Sequence, residues 1–204
     1  TGHTAGEPVK ENIVPATHTT KGSYNEVIYC KVCNTKISTT KKETPIISSI
    51  DGELLKLNNR TYRGDVYFIS DGNGIIAVNQ LDSIEEYLYS VVPSEMPSSW
   101  DIEAVKAQAV AARTYTLTRM GVHNSSGYDL CDSIHCQVYS GISTETANAT
   151  KAVDKTEGII ATYNGKPIEA LYSASSGGHT DDSENVWSNT VPYLRGVKEV
   201  NEID

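Results

Sequence analysis

Nothing in the 204 residues approaches the unbroken apolar length of a membrane-spanning helix, and Thr1 opens the chain without the charged and apolar stretches of a secretion signal. A membrane span within this chain is excluded, and any export signal or anchor is expected outside it. Basic residues are also scarce: Lys and Arg number 17 against 26 Asp and Glu, a formal net charge of −9. A nucleic-acid surface needs clustered cations to neutralise phosphates, so nucleic acid is excluded as a partner. Phenylalanine is almost missing, one residue against twelve tyrosines. That bias suits half-wet surfaces, sugar grooves among them, where a ring packs and its hydroxyl stays hydrated. No long internal repeat or low-complexity run occurs, and no serine sits in a nucleophile-elbow pattern. What is present is 38% hydrophobic, enough for one core of ordinary size and a small appendage.

The appendage is residues 1–45, rich in Thr, Lys and Gly and poor in large aliphatics. Such a segment buries little and needs a staple. Cys30-x-x-Cys33 after a short strand Glu26–Tyr29 is half of a common zinc knuckle, and His3 and His18 complete a His₂Cys₂ set. A Cys30–Cys33 disulfide is the alternative. The segment Gly2–Glu7 through Tyr29–Cys33 also resembles the short Cys-containing repeats of bacterial surface proteins.

From residue 46 the pattern changes. Pro45–Ile50 reads as a tether; Leu54–Leu57, Tyr62–Ser70 and Gly74–Asn79 alternate like strands, with Asp71-Gly72-Asn73-Gly74 as a hairpin turn. Ser83-x-x-Glu86 is a capping box opening a helix with Ile84, Leu88 and Val91 on one face, predicted to stop at Pro93. A second helix, Ile102–Met120, is Ala-rich almost all round and predicted buried, with Gly121 ending it. A further helix is expected near Thr144–Val153, then a hairpin in which Ile159–Tyr163 and Lys166–Tyr172 flank Asn164-Gly165. The class is α+β: a mixed domain over 46–204 with β-hairpins and a buried Ala-rich helix, preceded by a small zinc-ribbon-like module over 1–45.

Between the two long helices, Pro93 and Pro97 bracket Glu95. Prolines at both ends predict a stiff connector, where a carboxylate is either catalytic or plain solvated surface. In the Ala-rich helix Lys106, Gln108 and Arg113 are the polar exceptions, which need partners if buried. Lys106 and Arg113 share one stripe and can instead reach solvent. Four donors, His123, Cys131, His135 and Cys136, fall within fourteen residues and fit a tetrahedral zinc with no place left for a catalytic water, a structural site pinning a loop. A Cys131–Cys136 disulfide is the alternative there.

Tyr87–Pro97 and Ala104–Tyr115, then His135–Gly141, Thr156-Glu157-Gly158, Tyr172–Thr180, Asn185-Val186-Trp187 and Pro192-Tyr193-Leu194, together resemble the stage II sporulation protein D (SpoIID) family. Members are bacterial cell-wall lytic transglycosylases; the same domain also occurs in non-catalytic enhancers of wall amidases. The resemblance implies that Glu95 is the catalytic acid and base with Arg113 beside it. It implies that Tyr172, Ser173, Ser175, Ser176, Gly177 and His179 line a glycan groove; Gln108 is a further candidate, and Gln137, Tyr139 and Trp187 are lesser ones, each of which could equally be core. It implies cleavage between N-acetylmuramic acid and N-acetylglucosamine to a 1,6-anhydro end, a wall amidase as partner, an extracytoplasmic location at the wall, and a domain that usually continues beyond Asp204. A single carboxylate suffices for that chemistry, whereas a second from Asp101, Glu103 or Asp129 restores hydrolysis. That chemistry needs a Glu95 that starts protonated, which desolvation beside Met96, Pro97 and Trp100 is expected to favour.

Overall fold

The computed structural model describes residues 3–14, 22–44, 46–47, 54–70 and 74–198. They are mixed helix and antiparallel sheet, an α+β chain. The chain divides into two compact units, Thr1–Glu86 with Gly121–Cys131 and Ser140–Ser143, and Tyr87–Met120 with Asp132–Tyr139 and Thr144–Asp204. The strand turn expected at residues 71–73, the tether residues 45 and 48–50, and His18 lie outside the described residues.

In the first unit, β1 (Ala5–Val14), β2 (Gly22–Cys30) and β3 (Lys36–Thr44) form an antiparallel sheet in the order 1-2-3. Its burial is meagre: Val27 is closed off, while Val9, Val14, Val32 and Ile37 stand in water. A charged cluster knits its surface, with the Tyr29 hydroxyl donating to Glu11 and Lys36 Nζ 2.9 Å from the other Glu11 oxygen. β4 (Ile46–Ile47) pairs with β7 (Asp65–Ser70), which pairs with β8 (Ile75–Gln80). The reading of Tyr62–Ser70 as one strand joined two: β6 (Arg60–Tyr62) turns back on β5 (Leu55–Leu57) through Asn58 and Asn59, both at positive φ, before Gly64 breaks the run. Gly64 has φ +66° and a Cβ there would sit 2.1 Å from the Gln80 carbonyl oxygen, so no side chain fits.

Helix α1 (Ile84–Glu95) begins at the expected box: Glu86 N donates to Ser83 Oγ at 3.3 Å, and Glu86 Oε2 accepts from Asp82 N at 3.2 Å. It does not stop at Pro93. Proline already has a helical φ, and only the lost donor and ring contact oppose continuation. Here burial of Leu88, Val91 and Val92 fixes the preceding turn, Ser94 Oγ donates to Ser90 O at 2.8 Å, and Met96 N closes on Val92 O at 3.0 Å.

Helix α2 (Ile102–Arg119) is capped by Asp101, whose side chain accepts from Glu103 N at 2.8 Å. Val105, Ala109 and Ala112 are wholly buried, but Ala107 and Leu117 are exposed, so burial covers a broad face rather than the full circumference predicted. Lys106 escapes burial by pairing with Glu103 at 2.6 Å, one turn back. The small faces of α2 meet α3 (Ala147–Asp154), which is opened by Thr146 accepting from Ala149 N at 3.3 Å and buries Ala149, Ala152 and Val153.

Arg113 sits within this packing at 1% exposure. Its guanidinium donates to Val153 O at 3.2 Å and Ile159 O at 3.1 Å, and to Thr156 Oγ1 at 3.4 Å. A cation against the C-terminal carbonyls of a helix is favourable on both dipole and hydrogen-bond grounds. The hairpin at Asn164-Gly165 forms with both residues at positive φ, but β9 (Thr162–Tyr163) and β10 (Lys166–Pro167) are two residues each. Pro167 has no donor to extend the ladder, and Ala161 N is taken by Thr114 Oγ1 at 2.9 Å. Near the end, α4 (Ser183–Trp187) is gripped by Arg195, which donates to Glu184 Oε1 at 2.8 Å and to Ser183 Oγ at 2.7 Å.

Two outcomes follow from these ties. Arg113→Ala removes the buried cation and its volume, and a urea unfolding midpoint should report a loss of about 3–5 kcal/mol, with Thr156→Val costing about 1–2 kcal/mol. The Arg195 side chain holds the Glu184 carboxyl at about 2 against an ordinary 4.5. That contribution to stability is complete above the ordinary value and lost as pH falls through about 2, and Arg195→Gln should return the Glu184 carboxyl resonance to the ordinary titration range.

Candidate functional site

Glu95 is the last residue of α1 rather than part of a connector; the connector is 96–101, with Trp100 N turned onto Pro97 O at 3.1 Å. Acidic side chains are not favoured at the C-terminal end of a helix, so helix stability does not account for Glu95. One carboxylate oxygen accepts from Val138 N at 3.3 Å. The carboxylate is exposed and Trp100 is 54% exposed, so the apolar collar expected from Met96, Pro97 and Trp100 is not built around it. Instead Glu95 borders an open cleft of about 220 Å³ with Tyr115, Ile134, Cys136, Val138, Leu171 and Tyr172. Among these described residues Glu95 is the sole carboxylate; Asp101 and Glu103 are committed to capping α2 and to Lys106.

The far wall is set from α2. Thr116 Oγ1 donates to Gln137 Oε1 at 2.7 Å, and Gln137 Nε2 donates to Ala112 O at 3.4 Å and to the Tyr172 hydroxyl at 3.1 Å. Tyr115 meets the Tyr172 ring edge-on at 6.3 Å. Gln137 is 2% exposed, so it positions Tyr172 and is not a groove surface. Burial, with the Glu95 charge as a smaller contribution, pushes the Tyr172 phenol up to about 12. The hydroxyl therefore stays neutral throughout the physiological range, a fixed dipole on the same cleft as the carboxylate.

Other expected groove residues are distributed differently. Arg113 is buried at 1% exposure and hydrogen-bonded to the end of α3, so it has a framework task there and offers little surface to a substrate. The motif Thr156-Glu157-Gly158 has its reason here, since Thr156 receives that guanidinium while its own hydroxyl donates to Ala152 O at 2.8 Å. Tyr139 is buried and stacked on Tyr87 at 5.4 Å, a core ring. Gln108 is buried, with Nε2 unpartnered among the described residues. Ser173, Ser175, Gly177 and His179 lie exposed along one loop, held by Gly177 N to Ser175 Oγ at 3.3 Å and by a bridge from His179 to Lys198, while Ser176 Oγ is buried. Trp187, half exposed, ends α4. Tyr115, Ile134, Val138 and Leu171 were not foreseen, because their meeting depends on contacts between distant segments.

None of the four cysteines is disulfide-bonded in this structure. In the first unit the donor atoms of His3, Cys30 and Cys33 lie within 4.8 Å of one another, and those of His123 and Cys131 are within the same distance. Backbone N–H groups of Cys33 and Val32 point at the Cys30 sulfur and hold its thiol at about 6, below the ordinary 9. The loop before Cys131 is folded by His123 N donating to Asp129 O at 3.3 Å and by His123 stacked on Tyr128 at 4.9 Å. In the second unit His135 Nδ1 and Cys136 Sγ are 3.4 Å apart.

The geometry defines an α+β protein with an open, tyrosine-walled cleft around one carboxylate. Residues 71–163 match the family described as Stage II sporulation protein, SpoIID. The chain is 46% identical over 115 residues to an "Amidase enhancer" of Bacillus subtilis, covering 56% of this chain and 15% of that protein. It is 42% identical over 131 residues to "Stage II sporulation protein D" of the same organism, covering 56% of this chain and 38% of that one. An uncharacterized protein of Brachyspira hyodysenteriae is 42% identical over 157 residues, 76% of this chain and 42% of its own length. The chain thus spans less than half the length of these relatives.

A difference titration between wild type and Tyr172→Phe, followed by phenolate absorbance, should isolate a step near 12. Above the ordinary 10 the unfolded chain ionises first, so the stability given by the neutral phenol declines as pH rises toward 12.

Proposed function

We propose that this chain acts on bacterial peptidoglycan outside the cytoplasm as a lytic transglycosylase, with Glu95 as acid and then base. The observation that carries the reading is the lone carboxylate among the described residues of the Tyr115 and Tyr172 cleft. Glu95 protonates the oxygen joining N-acetylmuramic acid to N-acetylglucosamine, and the C1–O bond breaks. It then takes the proton of the sugar's own C6 hydroxyl as that oxygen attacks C1, leaving a 1,6-anhydro ring and consuming no water. A glycan lying over the open cleft removes water from the carboxyl group, the condition under which such a group keeps its proton. Val138 N orients one carboxylate oxygen, and the neutral Tyr172 hydroxyl is placed to meet a sugar hydroxyl.

His123, Cys131, His135 and Cys136 are read as holding a structural zinc, on the strength of their spacing and of the close approach within each pair. When bound it supplies rigidity to the loop that carries Ile134 and Cys136 to the cleft. The preferred glycan is one already stripped of stem peptides, which makes a wall amidase a working partner, and sporulation is the setting that the family name suggests.

A second reading, favoured by the relative named amidase enhancer, is a non-catalytic stimulator of a wall amidase. Mass spectrometry of peptide-free glycan strands digested with wild type and Glu95→Gln separates the two. Anhydro-muramyl ends with wild type, falling by about 10²–10⁴-fold in the variant, support the transglycosylase. Ends that persist in the variant sink the role of Glu95, and reducing ends instead indicate hydrolysis. No cleavage, with faster release of peptides by an added wall amidase, supports the enhancer.

A further inference from the structure

The sheet of β1, β2 and β3 lies outside residues 71–163 and has almost no interior: Val27 and Cys30 are its buried hydrophobic side chains among the described residues. A three-stranded sheet with so little apolar burial does not hold its register on burial alone. Three metal-type donors among the described residues, His3, Cys30 and Cys33, are gathered at one end. Strand pairing sets Ala5 opposite Cys30, and Lys31 N donates to Thr4 O at 2.9 Å, so the chain just before β1 is laid against the β2–β3 turn. That places His3 Nδ1 3.3 Å from Cys33 Sγ, thirty residues away in sequence.

The turn itself has the form of a thiolate knuckle. Cys30 N donates to Thr35 O at 2.8 Å and Asn34 N to Cys30 O at 3.0 Å, and Asn34 takes φ +54° so that the chain reverses tightly after Cys33. Val32 N points at Cys30 Sγ from 3.5 Å, and Cys33 Sγ lies 3.2 Å from Thr35 Oγ1, a hydroxyl able to donate to sulfur once the thiol has lost its proton. Donors around a tetrahedral zinc, with sulfur at about 2.3 Å and nitrogen at about 2.0 Å, stand about 3.5–3.8 Å apart. The separations here, all within 4.8 Å, match that spacing to within a small side-chain adjustment.

We infer that His3 Nδ1, Cys30 Sγ and Cys33 Sγ form a binding site for a zinc-class divalent cation that staples the start of β1 to the β2–β3 turn. Two thiolates and an imidazole select a soft or borderline ion over calcium or magnesium. Each thiol gives up its proton on binding, and the ion takes the place of the core that this sheet lacks. The site is independent of glycan cleavage: its donors belong to a sheet that carries none of the cleft residues.

The test uses the whole chain, reduced and metal-free, titrated with cobalt(II) as a spectroscopic stand-in and with zinc for stoichiometry. Cys30→Ser/Cys33→Ser should bind one equivalent of zinc fewer than wild type, whereas Cys131→Ser/Cys136→Ser should leave the cobalt–thiolate absorption of the N-terminal site in place. His3→Ala, at an exposed position that leaves the fold intact, should weaken cobalt binding at this site by at least about tenfold with an unchanged far-UV circular dichroism spectrum. Equal zinc stoichiometry in wild type and Cys30→Ser/Cys33→Ser, or unchanged cobalt affinity in His3→Ala, would overturn the site.

Discussion

The guanidinium of Arg113 is the constraint on which the second unit turns. It is buried between α2 and the end of α3, and a charge taken from water so completely persists only when hydrogen bonds replace what hydration supplied. Val153 and Ile159 lend carbonyls and Thr156 a hydroxyl, and these come from the segment where α3 ends and the chain turns back toward α2. Once α2 is locked at that point, its other polar positions acquire fixed tasks. Thr114 holds Ala161, and Thr116 holds Gln137, which holds Tyr172. Tyr172 is therefore positioned through side chains reaching back to the same helix that carries Arg113.

On the opposite side of the cleft, Glu95 is held by backbone. α1 runs through Pro93 because Val91 and Val92 are buried beneath it, and the carboxylate projects from its final residue toward Val138 N. The carboxylate and the tyrosine hydroxyl are thus both held on fixed elements bordering one cleft. The exposure of the carboxylate leaves room for a polymer to be laid across it.

Much of the scaffold was legible because its signals are local. Ser83 with Glu86 and the Asn164-Gly165 turn each act within a few residues, through a cap or a permitted φ, and each formed where expected. Gathering of His3 with Cys30 and Cys33 was likewise foreseeable from donor type and spacing. The partners of Arg113 at the end of α3 were not legible, for a physical reason. A polar residue on an apolar helix needs a partner, but the sequence does not say which, and three acceptors thirty and more residues away satisfied it. Pro93 misled in the opposite direction, since local propensity pointed to a stop and tertiary burial carried the helix on.

Composition and local pattern by themselves determined that this is an α+β chain with no helix fit to cross a membrane among the described residues, with Glu95 as its conspicuous acid. Those properties depend on residues close in sequence, or on none in particular. Tertiary structure alone decided what surrounds the acid, a phenol held near 12 by burial and a backbone donor from Val138, and it alone turned the α2 arginine onto the end of α3. Desolvation and long-range hydrogen bonding depend on which distant segments meet, and only the folded chain brings those segments together.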